Sequence, residues 1–120
     1  MRRNKAREHR IEMEVVVDAY NEGERAMGWY YYYLEDRMRF PFRAKCIYER
    51  STSPLTKGEM VEVKAMAPED ECEHDMFVEI RFNGRKLAVP LSQLKGIAVN
   101  DETQEAIADW HYWVDKGYEF

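Results

Sequence analysis

The sequence predicts an α+β domain: a small SH3-like five-stranded β-barrel flanked by two N-terminal helices and closed by one C-terminal helix. Three observations predict it. Apolar and aromatic residues recur at helical spacing up to residue 38, short alternating runs separated by turn residues fill 42–99, and a helical pattern returns at 101. A chain of 120 residues is the size of one domain, and 45% hydrophobic residues, aromatics included, supply a core for it.

The first segment, 8–20, fits two patterns. Ile11, Met13, Val15 and Val17 alternate as in a strand, whereas Ile11, Val15 and Ala19 with Val16 and Tyr20 share a helical face. Flanks rich in Glu, Arg and Ala favour the helix. Asn21 then caps a second helix over 22–38, with Glu22 and Glu24 in its first turn. Its broad face of Ala26, Trp29, Tyr30, Tyr33, Leu34 and Met38 needs cover on more than one side, and Pro41 prevents its continuation.

Strands follow at Phe42–Arg50, Met60–Met66, Met76–Phe82, Lys86–Val89 and Gly96–Val99. Asn83-Gly84 is the strongest hairpin signal, and Pro90–Leu94 reads as one tight turn. Such short strands with tight turns suggest a small barrel. The final helix starts at Asp101, paired with Gln104 as a capping box, carries Ile107, Trp110 and Val114 on one face, and stops before Gly117.

Charge is distributed locally. The net charge is −5, and the seven residues 69–75 hold Glu69, Asp70, Glu71, Glu73 and Asp75. Residues 1–10 carry Arg2, Arg3, Lys5, Arg7 and Arg10 against Glu8, which reads as a flexible basic arm preceding a single domain over 11–120. The arm is either a solvated tail or folds back onto the acidic run. No stretch approaches the roughly 18 apolar residues of a membrane span, and no secretory signal follows the basic start. Cys46 and Cys72 therefore read as reduced thiols of a cytoplasmic protein, with a Cys46–Cys72 disulfide as the other option.

The acidic run is the sharpest feature. In an extended loop, side chains two apart share a side, so Glu69, Glu71, Glu73 and Asp75 would form one row of carboxylates. Their mutual repulsion is relieved by a cation, and Ca²⁺ suits such a row because it takes six to eight oxygens in loose geometry. The plainer reading is a solvated turn. Glu35 and Asp36 add a second conflict, lying in the last turn of the second helix where the macrodipole is already negative. A cation would resolve it, as would Arg37 or Arg39. The spacing is not an EF-hand: no Gly stands at the sixth position of such a loop and no Glu at the twelfth.

Other chemistries are poorly supplied. Cys72 and His74 alone are a weak zinc signal, and His111 beside Trp110 reads as packing. No nucleophile motif, phosphate-cradling loop or His-Glu-x-x-His occurs, so an enzyme is not expected. Acidic residues repel phosphate and basic ones do not cluster in the strands, which argues against nucleic acid. A monomer is expected. The main rival to cation binding is a protein-interaction module whose acidic loop only steers a basic partner.

Four long strings sharpen the reading: VVVDAYNEGERAMGWYYYYLEDRMRFPFRAKC at 15–46, SPLTKGEMVEVKAMAPEDECEHDMFVEI at 53–80, RKLAVPLSQL at 85–94 and TQEAIADWHYWVDKGYEF at 103–120. With them the chain resembles the cyanobacterial-type calcium-binding protein family, CcbP, over residues 11–120. The resemblance implies reversible Ca²⁺ binding in buffering or signalling. It also implies Asp36, Glu69, Asp70 and Glu71 as first ligands, followed by Glu73 and Asp75; Glu35 can turn either way on its helix, and Asp18 and Glu22 are outlying candidates.

Overall fold

A computed structural model describes residues 4–17 and 19–117. Two helical rods precede the sheet. Helix α1 (Lys5–Arg10) runs on into a π-helical turn at Ile11–Val15. Helix α2 (Glu22–Trp29) continues through a second π-helical turn at Tyr30–Leu34 into α3 (Glu35–Arg37). The ambiguous first segment is thus helical, but only as far as Val15. Asn21 caps α2 as expected: its side chain accepts from Glu24 N–H, while the Glu24 carboxylate accepts from Tyr20 N–H and the Asn21 amide.

The strands are β1 (Phe42–Cys46), β2 (Met60–Met66), β3 (Phe77–Phe82), β4 (Arg85–Pro90) and β5 (Leu94–Ile97). They form one antiparallel sheet in the order β4-β3-β2-β1-β5. No ladder joins β4 to β5 among the described residues, so the sheet is open and is not the closed barrel expected from strand number and length. Asn83 and Gly84, at φ 51° and 76°, make the expected two-residue hairpin between β3 and β4. The last strand begins two residues early because Leu94 pairs with Cys46 directly after a 3₁₀ turn at Leu91–Gln93. β1 is shorter than expected, ending at Cys46.

Helix α4 (Asp101–Asp115) closes the chain. Its cap is Asn100 rather than the expected Asp101, since the Asn100 side chain accepts from Thr103 N–H. Asn100 takes the cap from extended backbone and leaves Asp101 as the first helical residue, where its charge still suits the helix N-terminus. Trp29 sits fully buried where the second rod meets α4, edge-on to Tyr33, Trp110 and Trp113 at centroid distances of 5.7, 5.0 and 5.5 Å. Each such pair adds about 1 kcal/mol beyond the buried area. Beneath them, Ala44, Val63, Val78, Ile80 and Leu94 form the covered face of the sheet.

Residues 4–10 are not a loose arm. Asp109 of α4 is fully buried, and its carboxylate accepts from Arg10 at 2.7 and 3.0 Å, from Tyr33 Oη, and pairs with Arg7 at 2.9 Å. Asn4 N–H donates to Tyr112 Oη, which donates to Glu8. The basic start therefore folds onto a carboxylate of α4, not onto the acidic run; Arg2 and Arg3 lie outside the described residues. Burial first, and the hydrogen bond to Asp109 second, hold the Tyr33 phenol above its ordinary range, while the Arg10 guanidinium is raised mainly by its hydrogen bond to Asp109.

His111, on the same helix, is held below its ordinary value of 6.5 chiefly by burial, which outweighs the carbonyls of Leu94 and Leu91. A group with a depressed cationic pKa binds its proton more readily in the unfolded chain. Its contribution to stability is therefore complete above pH 6.5 and lost progressively as pH falls below it. Urea titrations at pH 7.5 and 5.5 should show less loss on acidification in His111→Gln than in the parent; an equal loss would refute this assignment.

Among the described residues, no helix is long and apolar enough to cross a membrane.

Candidate metal centre

The acidic run is the β2–β3 connection. Ala67 N–H bonds Phe77 C=O at its base, and Tyr30 Oη donates to Ala67 C=O at 2.6 Å, tying the loop to the second rod. Cys72 is the loop's inward anchor: it is buried, its thiol faces Phe77 C=O, and Phe77 N–H approaches its sulfur at 3.4 Å. Around that anchor Glu69–Cys72 coils into a 3₁₀ turn instead of running extended. The expected row of alternate carboxylates is therefore absent, because in a 3₁₀ turn residues three apart share a side.

Glu69, Asp70 and Glu73 line a hollow of about 440 Å³ together with Glu22, Gly23, Ala26, Met27, Tyr30, Cys72 and His74. Glu22 Oε1 lies 2.6 Å from His74 Nδ1, so the N-terminal end of α2 and the acidic loop meet directly. Glu22, an outlying candidate by sequence, thus joins Glu69, Asp70 and Glu73 in lining the hollow. Its position as the first helical residue after a capping Asn was the available signal. His74 also lines the hollow, two residues from the Cys72 with which it made only a weak zinc signal.

The remaining candidates lie elsewhere. Asp75 is turned to Arg50 at 3.3 Å and to Met76 N–H at 2.8 Å. Glu71 does not line the hollow. Glu35 and Asp36 are exposed in α3, at the far end of the same rod from Glu22. At 1.5 Å per residue they stand about 20 Å from it. One site cannot hold both the helix end and the acidic loop; it is the opposite end of the rod that reaches the loop. Asp18 lies outside the described residues.

The donor set fits a hard, loosely coordinated cation. Four carboxylates ring the hollow, and all are solvent-exposed. Among the described residues no three His, Cys, Asp or Glu side chains stand close enough to hold an ion together. Ca²⁺ does not require such a group, because its six to eight oxygens include backbone carbonyls and water. The hollow suits zinc less well than Ca²⁺: its thiol, Cys72, is buried and turned to Phe77 C=O, which leaves mainly carboxylate oxygens facing the hollow. The same burial pushes the Cys72 thiol up to about 11. Cys46 is raised as well, mainly by burial, and both cysteines are free thiols.

An α+β domain that exposes a cluster of hard oxygen donors between a sheet loop and a helix N-terminus has the make-up of a cation-binding protein. The chain belongs to the CcbP family, described as calcium binding, whose model matches residues 9–114. This is a calcium-binding family and not an enzyme family. The crystal structure of Anabaena CcbP is 48% identical with a TM-score of 0.87, covering 100% of this chain and 98% of that one. A calcium binding protein in the calcium-binding form is also 48% identical, with a TM-score of 0.86, covering 98% and 96% of the two chains. Comparison with curated proteins gave no match.

Proposed function

We propose that this chain binds Ca²⁺ reversibly at the β2–β3 loop, with Glu22, Glu69, Asp70 and Glu73 as its carboxylate ligands. The observation that carries this is that all four line one hollow, in a chain whose family is described as calcium binding. Glu71, Asp75, Glu35 and Asp36 fall outside the ligand set. The site is built from two separated segments and so is not an EF-hand. Because the carboxylates must be drawn together against their own repulsion, binding is weaker than in a rigid preformed loop, in the micromolar to millimolar range. An affinity of that order suits buffering or signalling, in which the ion has to leave again. Two buried free thiols accord with a reducing, cytoplasmic setting.

The test is calorimetry on Asp70→Asn with Glu73→Gln. Both side chains are exposed, so the fold should survive while Ca²⁺ affinity drops at least tenfold. Unchanged affinity would reject this ligand set, and Glu35→Gln with Asp36→Asn should leave it unaltered.

A further inference from the structure

The hollow is far larger than an ion requires. A sphere reaching the oxygens of a Ca²⁺ shell encloses roughly 65 Å³, against about 440 Å³ here. That is the size of a pocket for a side chain or a small organic group. Its inner wall is apolar: Ala26, Met27, Tyr30 and the buried Cys72. Met27 is 37% exposed there, and methionine's flexible thioether adapts to varied apolar surfaces. An apolar wall beneath four carboxylates is what a lysine or arginine side chain complements, its alkyl stem on the wall and its charged head among the acids.

We propose that this hollow is also a docking site for a basic, partly apolar segment of a partner protein, and that Ca²⁺ and the segment exclude one another. The proposal rests on the reading that the same carboxylates hold Ca²⁺. Charge complementarity selects the occupant: an acidic segment is repelled, a wholly apolar one strands the carboxylates without solvent, and a second copy carries the same net negative charge, −5, over its whole chain. Because both ligands draw on the same acids, their coupling is reciprocal. Bound Ca²⁺ weakens the segment by the factor by which the segment weakens Ca²⁺. Calcium release would then free the hollow for the partner.

An acetylated Arg-Leu-Lys-Leu peptide is the probe, with Glu-Leu-Glu-Leu and Arg-Gly-Lys-Gly as controls, titrated by NMR into the full chain. In EGTA the first peptide should shift amides of residues 22–30 and 69–74, and the controls should bind at least fivefold more weakly. Saturating Ca²⁺ should weaken the peptide about fivefold or more, beyond Mg²⁺ at equal ionic strength. Met27→Ser should weaken the peptide and leave Ca²⁺ affinity unaltered. No peptide binding in EGTA, equal binding of Arg-Gly-Lys-Gly, or indifference to Ca²⁺ would each overturn the proposal. Ca²⁺ titrated without peptide reads the calcium assignment separately, so failure of the docking proposal is distinguishable from failure of the calcium site.

Discussion

Asp109→Asn should destabilise the fold by about 3 kcal/mol, lowering the melting temperature by roughly 10 °C. The carboxylate is fully buried and answers two arginines and a tyrosine, whose positions are fixed by α1 and by the second rod. An amide presents one acceptor where two oxygens now work, and its NH₂ faces cations. Because the Arg7 and Arg10 side chains are 24% and 25% exposed, water relieves part of their loss. The effect therefore sits at the low end of the 3–5 kcal/mol that breaking a buried pair costs. No helix residue of α1 is buried, so these polar contacts are what dock it. Amide exchange in residues 5–10 should rise with the loss of stability. Replacing the carboxylate and its three partners together (Arg7→Met, Arg10→Met, Tyr33→Phe, Asp109→Leu) should recover much of it, since a well-packed apolar set often equals an ion cluster. A single Asp109→Asn variant as stable as the parent would contradict the account of how the N-terminus is held.

Gly28→Ala should cost about 2 kcal/mol, although alanine is the better helix former. A Cβ at Gly28 would lie 2.2 Å from the Val15 carbonyl oxygen and 3.3 Å from its carbon. Those are backbone atoms at the end of the first rod, with no rotamer to yield, so the two rods must part. Overpacking of this kind costs about 1–3 kcal/mol or more, against a propensity gain of at most about 1, and the clash wins. Urea titration should show a lower midpoint with an unchanged slope. A stabilised variant would mean that the rods separate at no cost.

Local patterns carried most of the fold. Asn21, Asn83-Gly84 and the alternation at Met60–Met66 each specify their own element, because caps, turns and pleats are decided within a few residues. Closure of the sheet was not legible, since it depends on the meeting of β4 and β5, which no local pattern encodes. The acidic run was visible as charge, but its shape was not. Burial of Cys72 coils the loop, and that depends on Phe77 and on the second rod. Alternation therefore grouped Glu71 and Asp75 with Glu69 and Glu73, whereas the hollow is lined by Glu22, Glu69, Asp70 and Glu73. Asp109 could have been found: Ala106, Asp109, Trp110 and Trp113 share one helical face. A lone acid on an aromatic stripe calls for a cation, and the basic start supplies two.

Amide chemical shifts recorded during addition of Ca²⁺, with Mg²⁺ in parallel, test the calcium site most directly. The proposed site predicts a response at residues 22–23 and 69–74, with Glu35 and Asp36 silent and Mg²⁺ far weaker. A response centred on Glu35 and Asp36, or one that Mg²⁺ reproduces at equal concentration, would contradict it.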